Sequence, residues 1–324
     1  MHNNIDLMSY QFTIIVPVYN RPNEIDALLE SLIQQDFSND FEVLIIEDGS
    51  ENAAEKIVKK YQSQLNIHYF FKVNSGAGPS RNYGMQRATG NYFIILDSDV
   101  LLPETYLAEV QKGLAHRFTD AFGGPDAAHD YFTSLQKAIN YSMTAVLTTG
   151  GIRGKKQAVG TFQPRSFNLG ISKKAFEKTQ GFSTLKNGED IDLTFRLWEY
   201  GFETQLIDKA FVYHKRRSTL AQFFKQTFGF GTARPLLNKR YPATAKITYW
   251  FPSLFIIGFD VSLFLVFFGI PQLIILYGVY FVFLFIDAFI QNKRISVAFL
   301  SIITSFIQFL GYGLGFLWSQ LKKK

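Results

Sequence analysis

The sequence predicts an α/β fold, a mostly parallel sheet flanked by helices, followed by a C-terminal transmembrane helical region. Two observations predict it. Over roughly the first 210 residues, short apolar runs alternate with segments of helical spacing, the pattern of a parallel sheet covered on both faces. From Tyr249 to Trp318 nearly every residue is apolar, and about 20 apolar residues suffice for a helix to span a bilayer.

The elements follow in order. FTIIVPV (12–18) is an apolar run of strand length, and NEIDALLESLIQQ (23–35) puts Ile25, Leu28, Leu29 and Leu32 at helical spacing. FEVLIIE (41–47), IHYFFKV (67–73) and NYFIILD (91–97) are the next strands. Helices over 52–65 and 79–88 separate them, the latter with Pro79 in its first turn. Beyond Glu104 the pattern loosens. Helices are expected over 104–115 and near 130–146, strands near 166–172 and 203–208, and a helix over LTFRLWEYG (193–201) ended by Gly201. TTGGIRGKK (148–156) reads as a mobile loop.

Composition narrows the classes. The 324 residues include no cysteine, which excludes a disulfide framework, a thiolate metal site and a cysteine nucleophile. MHNNIDLMSYQF has no basic region followed by an apolar run, so no secretory signal is expected. The net charge of +6 is uneven: Lys209 to Trp250 holds nine Lys/Arg and no acid, leaving 24 Lys/Arg against 27 Asp/Glu elsewhere. Such a band suits nucleic acid or an anionic membrane surface. The apolar segments that follow decide for membrane lipids, and no nucleic-acid partner is expected.

In open α/β sheets, ligands bind beyond the carboxyl ends of the strands. Here those ends carry Pro17 to Pro22, Glu47-Asp48-Gly49-Ser50, Asn74 to Asn82, and Asp97-Ser98-Asp99. Any one loop is explained by Asp and Asn serving as turn residues and caps. Four polar ends along one edge, two of them acidic, point to a site. Asp97 and Asp99 repel each other. A hard divalent cation, Mg2+ or Mn2+, relieves that cost, taking oxygens from carboxylates and substrate phosphates. It would also steady a diphosphate leaving group. Ser75-Gly76-Ala77-Gly78 offers amides to an anion, but is neither a Walker loop nor a dinucleotide fingerprint. GEDIDL (188–193) is either an acidic helix start favoured by the dipole or the source of a general base. His214, in VYHKRRS, is either structural or a metal ligand or diphosphate contact beside Arg216 and Arg217.

In their order and intervals, VPVYNRP, IEDGS, SGAGPSRNYG and LDSDV resemble the nucleotide-binding half of inverting family 2 glycosyltransferases with the GT-A fold, over roughly residues 11 to 215. The resemblance implies that Pro17, Tyr19 and Asp48, with Glu47 beside it, hold the nucleoside. Asp97 and Asp99, with Ser98 between them, would contact ribose and metal, and Arg81 the base or phosphates. Asp190 would be the base, with Glu189 orienting it or the acceptor. Gly124 and Asp126, and Asn168 and Gly170, would line the acceptor and donor-sugar pocket. The implied donor is a nucleotide-sugar, UDP-linked, and the acceptor a glycan or lipid-linked group. One departure matters: where processive synthases of the family carry Gln-x-x-Arg-Trp, this chain has Gln222-Phe223-Phe224-Lys225-Gln226-Thr227, which favours addition of one sugar. A polyprenyl-phosphate acceptor is the enzyme alternative; being an anion, it needs no base, so GEDID leans toward a hydroxyl. A non-catalytic nucleotide-sugar binder would lack use for the Glu-Asp motif. A nucleotidyltransferase would want a Gly-rich basic loop where Tyr19-Asn20-Arg21-Pro22 stands.

The expected organisation is a GT-A catalytic domain over 1–215, a basic amphipathic interfacial segment over 216–247, and a transmembrane region over 248–324. Ser218 would cap a helix through Phe228, with Leu220, Phe223, Phe224 and Phe228 sharing a face on the membrane surface. Candidate spans are roughly 249–268, 270–290 and 296–318. The basic band places the catalytic domain on the cytoplasmic side of a bacterial plasma membrane. Three full spans would then put Lys322-Lys323-Lys324 outside, against that rule. Either the third segment turns back at Gly311, Gly313 and Gly315, or Gly269-Ile270-Pro271 is a kink rather than a turn. Asp260 and Asp287 fall in or near the apolar segments, where acids are costly.

Overall fold

The computed structural model describes residues 10–150 and 162–322. They form two compact units, one from residues 10–127 and 162–214, the other from 128–150 and 215–322. The Gly-rich run lies, from residue 151 onward, outside the described residues.

The first unit opens with β1 (Phe12–Val18), α1 (Pro22–Ile33), β2 (Glu42–Asp48), α2 (Glu55–Tyr61), β3 (Asn66–Lys72), α3 (Ala77–Met85) and β4 (Tyr92–Leu96). These four strands are parallel. Then come β5 (Val100–Leu101), α4 (Tyr106–His116), β6 (Ala121–Gly123) and β7 (Asp126–Ala127). The chain next enters the second unit with α5 (Ser134–Thr144) and α6 (Val146–Thr149). It returns with β8 (Asn168–Ser172), α7 (Lys173–Thr179), α8 (Glu189–Glu199), β9 (Thr204–Leu206) and β10 (Val212–His214). A seven-stranded sheet runs β3-β2-β1-β4-β8-β6-β9, and a three-stranded one β5-β10-β7. β8 is antiparallel to β4 and β6, so the sheet is mixed but mostly parallel.

Both faces of the sheet are covered. Ile14 and Val16 of β1 pack with Leu28, Val58 and Leu107 on one side. Ile15 packs with Phe93, Phe176 and Leu193 on the other. A strand buried on both faces needs apolar residues at successive positions, which is why its sequence is continuous rather than alternating. α8 begins at Glu189, ahead of the LTFRLWEYG stretch, because Gly188 at φ +80° turns the chain into it and three acids fill its first turn.

The second unit adds α9 (Leu220–Arg240), α10 (Phe251–Val266), α11 (Gln272–Asn292) and α12 (Ile295–Leu321). It thus takes in α5 and α6 from within residues 1–215. Thr219, not Ser218, caps α9, accepting the N–H of Gln222, and the helix runs past Phe228 and through Pro235. Two adjacent residues of capping type cannot be told apart by pattern. Gly269, at φ +74°, lies in a turn between α10 and α11, not a kink. α12 is unbroken through Gly311, Gly313 and Gly315. Those glycines instead admit close neighbours: a Cβ on Gly311 would lie 2.1 Å from Thr227 Oγ1, and one on Gly315 2.2 Å from the Phe228 carbonyl. The segments Ile247–Val266, Gln272–Asn292 and Ile295–Leu321 are each long and apolar enough to cross a membrane. Asp287 accepts the Tyr141 hydroxyl at 2.6 Å and the Gln291 amide at 2.8 Å.

Candidate active site

The loops after β1, β2 and β3 are tied together at the sheet's carboxyl edge. Asn20, at φ +53°, donates its N–H to Ser50 Oγ at 2.7 Å and accepts the N–H of Asn52 at 3.1 Å. Glu47 is wholly buried and accepts from Ser50 Oγ, from the Ala54 N–H at 2.7 Å and from the Tyr69 hydroxyl at 3.2 Å. Its oxygens are thus engaged with the turn and with β3. Asp48 accepts from Lys72 Nζ and from the amides of Ser75 and Gly76, at 2.9 and 2.8 Å. Burial pushes this carboxyl up, but Lys72 and the two amides outweigh it and hold it below its ordinary value. Between the strand and this loop Gly49 sits at φ +72°, and a Cβ there would lie 2.7 Å from the Asn74 nitrogen. Pro17 is in β1, paired with Ile46, and Tyr19 is exposed at the edge.

Asp97, Asp99 and His214 offer ligand atoms that all lie within 4.8 Å of one another. The small sheet explains their meeting. β10 pairs antiparallel with β5 and sets His214 opposite Val100, the residue after Asp99. His214 Nε2 is 3.2 Å from Asp99 Oδ1, and its Nδ1 is 3.9 Å from Asp126 Oδ2. The ring lies against Phe167, centroids 4.8 Å apart. Arg21, from the loop after the neighbouring β1, pairs with Asp99 Oδ2. Burial pushes the Asp99 carboxyl up, but His214 and Arg21 outweigh it and hold it well below the usual carboxylate range. Two carboxylates, one of them kept ionised in a buried position, and an imidazole nitrogen fit a divalent cation of the Mg2+ or Mn2+ type. Ser98, between the acids, is buried.

Arg81 connects this group to α8. It is only 3% exposed. Its Nη2 donates to Asp97 Oδ1 at 2.7 Å, its Nη1 to Glu189 Oε1 at 2.9 Å, and its face rests on the Phe182 ring at 5.1 Å. Burial pushes the Glu189 carboxyl up, the Asp190 charge adds to that, and Arg81 opposes both; the net result is a value pushed up to about 7. Asp190 follows in the same first turn, with Arg165 Nη1 3.8 Å from its Oδ2.

The remaining expected residues sit deeper. Asn168 is wholly buried, donating to the Ala210 carbonyl at 2.8 Å and accepting from the Tyr106 hydroxyl at 2.7 Å. A Cβ on Gly170 would fall 1.9 Å from the Phe122 ring, and one on Gly124 1.7 Å from the Ala210 carbonyl. These three positions fix β8 and the turn after β6. Asp126 is buried beside His214. Sequence reasoning did not single out Arg21, Lys72 or Arg165. Lys72 had a signal: in register it is the β3 partner of Asp48.

Comparison with known proteins is consistent with this geometry. The model of the family "Glycosyl transferase family 2" matches residues 13–179, about half of the chain. Escherichia coli chondroitin synthase is 27% identical over 262 residues, covering 71% of this chain and 38% of the synthase. The chain spans 14% to 38% of the length of four curated relatives, chondroitin synthase among them, and 70% of a fifth, the succinoglycan biosynthesis protein ExoA of Rhizobium meliloti. A mannosyltransferase from Pyrobaculum calidifontis, solved with GDP-Man and Mn2+, aligns over 96% of this chain and 89% of its own, with TM-score 0.65 at 16% identity. Staphylococcus aureus TarS, solved with UDP-GlcNAc, aligns over 97% and 92%, with TM-score 0.51 at 19% identity. With the ordered strand-end motifs and the family match in hand, the chain belongs to glycosyl transferase family 2.

Proposed function

We propose that this chain is an inverting glycosyltransferase. It moves one sugar from a nucleotide-diphosphate sugar, UDP-linked, to an acceptor hydroxyl at the cytoplasmic face of a bacterial plasma membrane, for a cell-surface glycan or glycolipid. The Arg81 bridge is the observation that carries this reading, because it joins the acids after β4 to the Glu189-Asp190 turn. The donors seen with the Pyrobaculum mannosyltransferase and with TarS support a nucleotide-sugar.

The chemistry is a single displacement. The acceptor oxygen attacks the anomeric carbon opposite the diphosphate, and the nucleoside diphosphate departs with the electron pair of the broken bond. Asp190 takes the acceptor proton. Glu189, anchored by Arg81, positions the helical turn that carries Asp190. Tyr19 and Asp48, at the ends of β1 and β2, would hold the nucleoside. A Mg2+ or Mn2+ ion held by Asp97, Asp99 and His214 would supply positive charge to the leaving diphosphate. Transfer to a polyprenyl phosphate is the second reading, supported by the basic band before the apolar helices.

The test is a panel of nucleotide-sugars offered to the full chain in detergent, with nucleoside diphosphate release measured with and without a chelator. Release from a UDP-sugar, lost on chelation, is expected. Asp190→Asn should keep nucleotide binding and lose about 10²- to 10⁴-fold in transfer. Near-normal transfer by that variant would remove Asp190 as the base. An acid-labile product would point to a lipid phosphate acceptor.

A further inference from the structure

Arg234 stands where an arginine is hard to explain by the fold alone. It is 8% exposed, on the buried side of α9. Its guanidinium lies over the Tyr249 ring at 4.2 Å. Its Nη1 is buried without a hydrogen-bond partner among the described residues. One turn on, the buried Oδ1 of Asn238 is likewise without one among those residues. The sequence on either side of it offers no counter-charge: no acid occurs between Lys209 and Trp250. A buried guanidinium with an unsatisfied donor costs several kcal/mol. An anion that accepts from this donor would remove that cost.

Position identifies the anion. Tyr249 lies in the turn leading into α10, within the first apolar segment Ile247–Val266. Lys246, just before it, is exposed. A cation at the foot of a membrane helix meets the phosphate layer of the leaflet. Arg is suited to such a partner because its planar fork donates two hydrogen bonds to phosphate oxygens.

We infer that Arg234, with Tyr249 and Asn238, forms a binding site for the headgroup phosphate of an anionic membrane lipid. Nη1 donates to a phosphate oxygen, Tyr249 covers the face of the guanidinium, and Asn238 Oδ1, an acceptor, takes a headgroup hydroxyl rather than the phosphate. The inference rests on the apolar helices entering a bilayer, which reconstitution tests separately.

The experiment places the full chain in nanodiscs of phosphatidylcholine alone or with phosphatidylglycerol. It measures preference for the anionic lipid from the composition of the annular lipid, together with the thermal midpoint. Incorporation into neutral nanodiscs tests membrane insertion on its own. The wild type should enrich phosphatidylglycerol and melt higher in its presence. Arg234→Gln should lower the preference about tenfold, the worth of one charge-assisted hydrogen bond, and melt no lower than wild type in the neutral lipid. Lys225→Gln, which removes an exposed charge of the same helix, should keep the preference. Equal loss in both variants would mean diffuse attraction and overturn the site, as would an unchanged preference in Arg234→Gln. Should Arg234→Gln fail to fold, Tyr249→Leu carries the same expectation. Inorganic phosphate raising the midpoint in neutral lipid, through Arg234, would reassign the site to a soluble anion.

Discussion

Glu189 holds a proton more tightly than an exposed carboxyl does, and the consequence can be signed. Its folded value is pushed up to about 7 from an ordinary 4.5, by burial first and the Asp190 charge second. The unfolded chain therefore releases this proton at lower pH than the folded one. The stability from the protonated form is full below 4.5 and lost as pH rises through 7. Glu189→Gln keeps an oxygen for Arg81 Nη1 and removes the titration. Between those pH values the variant should gain on the wild type by about 3 kcal/mol in unfolding free energy. Denaturant unfolding in detergent at several pH values reads this, and a gap that does not change with pH would refute it. Single residues differed in how plainly they could be read. The Asp97-Ser98-Asp99 pair and the Glu189-Asp190 pair stand in the sequence as acids with no apolar rationale. Arg81 gave no hint that it would be buried between them, because its partners lie 16 and 108 residues away. Asn168 and Gly170, taken for pocket residues, have the packing of β8 as their visible physical role.

At the scale of elements, α9 and α12 pack closely because glycine leaves room for the facing backbone. A Cβ on Gly315 would meet the Phe228 carbonyl at 2.2 Å, and backbone cannot step aside as a flexible side chain can. Gly278 in α11 has nothing within 4 Å of the same position. Gly315→Ala should therefore destabilise by about 1–3 kcal/mol, the range for overpacking. Gly278→Ala should be neutral or slightly stabilising, because alanine is the better helix former. Thermal midpoints of the two variants in one detergent check this, and equal effects would mean that the α9–α12 contact does not form. The same contrast explains which elements were legible. β1, β2 and β4 are runs of Ile, Val, Leu and Phe buried on both faces, so pattern alone located them within about a residue. β5, β6, β7 and β10 have two or three residues each and carry no period. Their pairing is tertiary, yet it is what sets His214 beside Asp99. The antiparallel sense of β8 was equally hidden, since strand direction leaves no mark on composition.

At the scale of the molecule, three helices among the described residues have the length and hydropathy to cross a bilayer, but their surroundings differ. Within the structure 17% of the α10 window and 11% of the α11 window are buried, against 39% for α12. The buried side of α12 faces α5 and α9. Thr304 donates to the Ala138 carbonyl at 3.1 Å, and Ser142 lies 2.6 Å from the Thr304 hydroxyl. Along α9 the contacts advance in step: Phe223 clusters with Ile307, Thr227 meets Gly311, and Gly231 meets Tyr312. The two helices thus run side by side in one direction, and Lys225, which is exposed, falls level with the middle of α12. If α12 crossed the membrane, Lys225 would sit near the bilayer centre, at a cost of about 2.5–3.5 kcal/mol for that residue alone. The outward apolar residues of α12, Phe299, Ile303, Leu314 and Trp318, instead form one stripe, the arrangement of a helix lying on a membrane surface. Two crossings, by α10 and α11, would return the chain at Asn292-Lys293-Arg294 and leave Lys322 on the side of the basic band, as the positive-inside rule expects. The absence of cysteine makes the test clean. Single cysteines at Lys246, Phe268 and Lys322 are to be labelled with an impermeant thiol reagent in vesicles of both orientations. Lys246→Cys and Lys322→Cys should react in the same vesicles, and Phe268→Cys, between α10 and α11, in the opposite ones. If Lys322→Cys labels together with Phe268→Cys, α12 crosses the bilayer and the two-span arrangement is wrong.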